Sequence, residues 1–253
     1  MGMLISTACV RKENVSITLD MNTDWAFYRG DVAHGEDVGL DDSEWIPVVI
    51  PHLMQLEKKY CGGDVIYDSI GWYRRCFKLP ENYASKRIAV SLEGVMNVCE
   101  LFINGHKVAE HRGGYVGFTS DISDYINWND DNLLALCVSV VYDSLTPPGK
   151  PQDRLDFYYC SGIYRDVKMI VTDKLHISDE LEADEVEGGG LFITYPKVEK
   201  EEALVAVRTS LKNRHRESRN GVLQSVLRDE EGKIVAEQET PFSLKGGDDC
   251  RLE

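Results

Sequence analysis

Residues 86–120, KRIAVSLEGVMNVCELFINGHKVAEHRGGYVGFTS, limit the possible folds of this chain more than any other stretch. Ile88, Val90 and Leu92 alternate with Ala89, Ser91 and Glu93, the period of two that a half-buried strand requires. A turn follows at Glu93-Gly94, and Cys99, Leu101 and Ile103 then alternate with Glu100 and Phe102. Asn104-Gly105 is a strong hairpin signal, because both turn positions favour positive φ, so residues 107–110 are expected to pair back. Gly113-Gly114 breaks the run and residues 115–119 begin another strand. This density of antiparallel strands predicts a sheet whose apolar face needs a second layer.

The flanking sequence continues in the same manner. Short strands are expected at residues 4–10 and 16–19, and an exposed Gly- and Asp-rich loop at 30–43. WIPVVIP, residues 45–51, carries proline near both ends and reads as an edge strand or an extended crossing segment. In residues 71–77 Trp72, Arg74 and Cys76 share one strand face and Tyr73, Arg75 and Phe77 the other; Trp72 and Tyr73 read as core. A helical turn is expected at 121–126, and strands at 134–140 and 163–171. Residues 143–160 form a long excursion with Pro147, Pro148, Gly149 and Pro151; a sandwich core does not need such a loop, and loops of this length often carry function.

After an acidic stretch at 179–187 the rhythm changes. Strands are expected at 191–195, ending at Pro196, then at 203–211, 222–227 and 233–237, with a turn at 229–232. The succession resembles the first half of an immunoglobulin-like sandwich and predicts a chain that stops inside that domain. The fold class is therefore all-β: a jelly-roll (galactose-binding-like) β-sandwich over residues 1–178, then a partial immunoglobulin-like β-sandwich over 179–253.

The net charge of −15 disfavours nucleic acid and anionic membranes as partners. No apolar segment has the length of a membrane span, and the N-terminal residues lack the basic and apolar regions of a signal peptide. The odd count of 7 cysteines, with no CxxC, fits structural thiols in a reducing compartment, hence a cytoplasmic location. His52, His106 and His111 read as packing or surface residues rather than ligands, with His111-Arg112 a loop anchor. The acidic runs at 179–187 and 199–202 read as solvated faces, and no metal site is expected.

Six segments together resemble the non-catalytic N-terminal part of family 2 glycoside hydrolases, the β-galactosidase, β-glucuronidase and β-mannosidase group. They are DWAFYRGD (24–31), WIPVVIPH (45–52), GWYRRCFKLP (71–80), LEGVMNVCELFINGHKVAEHRGGYVGFTSDIS (92–123), DNLLALCVSV (131–140) and SGIYRDVKMIV (161–171). FITYPKVEKEEALVAVRTSLKN (192–213) resembles the opening of the family's immunoglobulin-like domain. The resemblance implies a parent enzyme whose third domain, a (β/α)8 barrel of roughly 250 residues, carries both carboxylates of a retaining mechanism. Nothing in this sequence reads as that barrel, and neither the family's Asn-Glu acid/base motif nor its nucleophile has a counterpart here. No catalytic residue is assigned.

The resemblance also implies that an acidic side chain of the long loop reaches the sugar, with Asp153 and Asp156 the nearest candidates. Asp156, Phe157, Tyr158 and Tyr159 read either as a sugar-facing lip, since carboxylates bind hydroxyl pairs and aromatic faces stack on pyranose rings, or as packed aromatics beside a solvated acid. Arg165 and Asp166 read as a structural anchor for the loop. No cofactor is implied for this stretch, while Mg or Na in the parent's barrel is allowed. The implied partners are a β-glycoside or oligosaccharide substrate through the parent enzyme, its own barrel, and further copies in a homo-oligomer. A stand-alone carbohydrate-binding module and a structural β-sandwich interaction module are the competing readings.

Overall fold

The computed structural model describes residues 16–55, 68–155, 157, 161–183, 185 and 188–253. The strand expected at residues 4–10 lies outside them. The first part comprises β1 (Ile17–Asp20), β2 (Trp25–Arg29), β3 (Ile46–Val48), β4 (Ile70–Lys78), β5 (Arg87–Leu92), β6 (Val95–Met96), β7 (Val98–Ile103), β8 (His106–Arg112), β9 (Phe118–Asp121), β10 (Asp131–Ser139), β11 (Gly162–Ile163) and β12 (Val167–Thr172). They form a four-stranded sheet, β1-β12-β5-β9, a six-stranded sheet, β3-β2-β4-β10-β7-β8, and a small ribbon, β6-β11. All the pairings are antiparallel. The sheets stack on a core that includes Trp25, Tyr73, Ile88, Leu92, Leu101, Leu134, Leu136 and Met169. This is a jelly-roll sandwich, and the expected alternation in β4, β5, β7 and β10 supplies its inner faces.

Asn104 and Gly105 adopt φ of 51° and 82°, as the Asn-Gly turn between β7 and β8 demands. The proline-bounded segment gives β3, on the edge of the large sheet. Two expectations fail for one reason. Residues 86–120 do not build one sheet: β5 pairs with β12 and β9, whereas β7 pairs with β10 and β8. The strand expected at 163–171 likewise splits into β11 and β12. At both places the chain crosses from one layer to the other through the β6-β11 ribbon. Local alternation marks a strand but does not name its partner.

The second part holds β13 (Leu175–Ile177), a single helical turn α1 (Glu180–Ala183), β14 (Leu191–Val198), β15 (Ala203–Asn213), β16 (Arg219–Arg228), β17 (Ile234–Leu244) and β18 (Asp249–Leu252). β15 pairs with β13, β14 and β18, and β16 and β17 form a separate long hairpin, so this part is also all-β. Pro196 does not end its strand. A register shift between Thr194 and Lys197 absorbs it on the edge of the sheet, where a missing N–H costs no ladder bond. β18 has no counterpart among the sequence expectations.

Candidate functional site

A sugar-binding sandwich often uses one open sheet face, so the outer face of the six-stranded sheet is the first place to look. Trp72 and Phe102 stand there with ring centroids 5.8 Å apart, together with Leu133 and Ala135. They are buried, because the loop after β2 folds over them; residues 30–43 are themselves mostly exposed, as their composition predicts, with Gly35 buried against the sheet. Gly35 lies flat on the indole of Trp72: a Cβ there would sit 2.4 Å from Cδ2. Arg74 pins the loop. Its Nε meets Asp42 Oδ2 at 2.7 Å, its Nη1 donates to Gly35 O at 2.7 Å and Asp37 O at 2.8 Å, and its Nη2 donates to Leu40 O at 3.4 Å. The centre of the face is therefore covered, while Cys76 and the Glu100–Lys107 pair remain open to solvent.

The loop-bearing end of the sandwich is open. There the end of β8 meets the start of the long excursion, where Arg112 Nη1 lies 3.2 Å from Asp143 Oδ2. Asp143 shapes the excursion by accepting from Leu145 N at 2.9 Å and Thr146 Oγ1 at 2.7 Å. The Leu145 amide, Thr146 and Arg112 hold its carboxyl below the usual range against a desolvation penalty. On the β8 side the His111 ring nitrogen Nε2 donates to Gly113 O and Val116 O, each at 2.9 Å, so His111 anchors the loop that presents Tyr115 and Val116. The Tyr164 hydroxyl donates to Gly114 O and fixes the same loop from β11. Partial desolvation and the neighbouring Tyr164 push the Tyr115 phenol up. Tyr115, Val116 and Tyr142 are exposed here, and Leu145 is 90% exposed.

Asp153 sits in a short 3₁₀ turn, Gln152–Arg154, and is exposed. Phe157 is exposed, while Asp156, Tyr158 and Tyr159 lie outside the described residues. Arg165 places its guanidinium 5.6 Å from the centroid of the Tyr164 ring. Asp166 accepts from Asn22 Nδ2 at 3.2 Å, and its backbone oxygen accepts from Glu93 N at 3.0 Å. Sequence reasoning passed over Tyr115, Tyr142 and the Arg112–Asp143 pair. The Asp143-x-x-Thr146 spacing of a side-chain-capped turn was the available signal. Among the described residues no three His, Cys, Asp or Glu side chains are grouped so that they could hold a metal ion, and no helix is long and apolar enough to cross a membrane.

Residues 64–173 match the family model described as glycosyl hydrolases family 2, sugar binding domain. Over these residues the first sandwich is similar to that family's sugar binding domain. A family 2 relative, the beta-galactosidase BoGH2A of Bacteroides ovatus, is 28% identical over 90% of this chain and 26% of its own length. A beta-glucuronidase of Formosa agariphila is 23% identical over 93% of this chain and 25% of its own length. Among solved structures, the Bacteroides uniformis beta-glucuronidase 2 superposes with a TM-score of 0.84 at 27% identity, covering 94% of this chain and 27% of that one. The chain thus spans about a quarter of the length of the curated relatives it matches.

Proposed function

We propose that this chain is the non-catalytic N-terminal part of a retaining β-glycosidase that hydrolyses O-glycosidic bonds, most simply a β-galactosidase. Its sandwiches buttress a catalytic barrel, contribute to the rim of the sugar pocket and build contacts in a cytoplasmic homo-oligomer. One observation carries the reading. The Arg74-pinned loop covers the centre of the large sheet's outer face, whereas the loop-bearing end leaves Tyr115, Val116, Tyr142 and Leu145 exposed together. Apolar side chains gathered at loop tips suit a surface that another domain covers.

The chain alone is expected to be inactive, because the sequence supplies no acid/base and nucleophile pair. The 253-residue chain, incubated with chromogenic β-galactosides and β-glucuronides, should show no turnover above a blank. Turnover would sink the reading. A stand-alone carbohydrate-binding module is the second reading, favoured by the exposed Tyr115 and Tyr142 beside the Arg112–Asp143 pair. Calorimetric titration with galactose and lactose separates the two: binding by the isolated chain, lost on Tyr115→Ala, favours the module.

A further inference from the structure

The acidic stretch after β12 is not a solvated face. Two acids from this region, Asp173 and Glu182, each stand between a cation of the first sandwich and a histidine of the second part. Lys86 Nζ lies 3.1 Å from Asp173 Oδ2, and His215 Nε2 lies 3.1 Å from Asp173 Oδ1. Arg87, the next residue, places Nη2 3.1 Å from Glu182 Oε1, while His176 Nε2 lies 3.2 Å from both Glu182 oxygens. Arg87 is 2% exposed, and its Nε is 3.3 Å from Asp121 Oδ2. These Arg87 contacts are ion pairs without the alignment of hydrogen bonds. Lys212 Nζ adds a bond to Glu182 O at 3.1 Å. Thr119 of β9 donates to Asp179 Oδ1 at 3.4 Å, and the same oxygen accepts from Glu182 N at 2.8 Å.

Two sandwiches joined by a short connection move relative to one another by default, unless their junction is extensive. Here the connection itself is held: β13 pairs with β15, Arg214 N donates to Lys174 O at 2.7 Å, and Ser178 N donates to Ser210 O at 3.0 Å. We propose that residues 173–183 form a two-point ionic brace, Lys86–Asp173–His215 and Arg87–Glu182–His176, which makes the two sandwiches one rigid body rather than a hinged pair. Separating the units would break the Arg87–Glu182 pair, whose side chains are 2% and 11% exposed and whose attraction is therefore less screened by water than that of exposed pairs. The brace fixes the direction in which the loop-bearing end points relative to β16 and β17. It stands independently of the glycosidase reading.

Residual dipolar couplings of the isotopically labelled 253-residue chain test this. In the wild type, couplings from residues 17–172 and 191–252 should fit one alignment tensor. In the double variant Asp173→Asn/Glu182→Gln, which leaves Arg87 paired with Asp121, the two sets should need different tensors. Exchange of the Glu182 and Ala183 amides should also quicken at least tenfold. Lys86→Met provides a milder variant that cuts the outer clamp alone and should produce a smaller divergence of the tensors. Two tensors in the wild type, or a single shared tensor in both variants, overturns the proposal.

Discussion

Replacing Arg74 with methionine removes the clamp on the covering loop while keeping an apolar side chain of similar length. Four contacts go, three of them to backbone oxygens of Gly35, Asp37 and Leu40. Hydrogen bonds from a charged donor contribute about 1.5–3 kcal/mol each, and a carbonyl left buried without a partner costs about 1–3 kcal/mol. The Leu40 contact is long at 3.4 Å, and the Asp42 side chain is 35% exposed, so water replaces part of what they lose. The bonds to Gly35 O and Asp37 O, at 2.7 and 2.8 Å, carry most of the effect. The methionine recovers some energy, because the desolvation of the guanidinium disappears with it. The expected net loss is about 3 kcal/mol, or on the order of a hundredfold in the opening equilibrium of the loop. Arg74→Lys, which keeps the charge but not the fork, should fall between. Hydrogen exchange at the Asp37 and Leu40 amides, which donate within the loop, reports the local opening. Urea unfolding followed by Trp72 fluorescence reports the global loss. Exchange rates and midpoint unchanged from wild type would refute the idea that Arg74 holds the covering loop in place.

Other outcomes follow from single positions. Burial opposes ionisation of Asp173, but the Leu175 amide, His215 and Lys86 outweigh it and bring the carboxyl from 3.8 to about 2. A depressed carboxylate contributes stability above its unfolded pKa and loses it as pH falls. Asp173→Asn should therefore cost up to about 2 kcal/mol at neutral pH, and the gap to wild type should shrink between about pH 4 and pH 2 in acid-titrated urea melts. Gly162 has φ of +105°, and a Cβ there would lie 2.6 Å from the Tyr73 hydroxyl and 2.7 Å from His52 O. Gly162→Ala should destabilise by about 2–3 kcal/mol in thermal unfolding, whereas Gly113→Ala, with no such neighbour, should cost less. Cys99 is fully buried and its thiol is pushed well up by desolvation, with Cys137 raised to about 12. Mass-spectrometric mapping of alkylation in the folded protein should find Cys76 modified before either.

The strands were legible wherever one face is apolar and the other is not. Ile88, Val90 and Leu92, or Leu134, Leu136 and Val138, announce themselves because every second side chain faces the core, and all six are buried; that Ala89, Ser91 and Ala135 between them are buried as well was not legible in the alternation. Asn104-Gly105 was legible because its backbone conformation is a local matter. Glu182 was not: in an acidic run it looks solvated, and only the approach of Arg87, His176 and Lys212 makes it a buried partner. The loop at 30–43 is exposed as its composition predicts, but its second role as a cover for Trp72 was not legible, since its Gly and Asp content says nothing of Arg74 far along the chain. Asp153 was named from the family resemblance and Phe157 for the stacking its ring allows, but Tyr115, Tyr142 and the Arg112–Asp143 pair emerge only when β8 and the excursion are brought together.

By itself, then, the sequence determined an all-β chain, the order of most strands and the sharp turns. Periodicity and turn chemistry are fixed by neighbours a few bonds away. Tertiary structure alone decided that β5 and β7 lie in different layers, that the centre of one sheet face is covered, and that Lys86 and Arg87 grip the segment leading into the second sandwich. These depend on pairings across distant parts of the chain, where several partners satisfy the same local pattern and only the packed whole selects one.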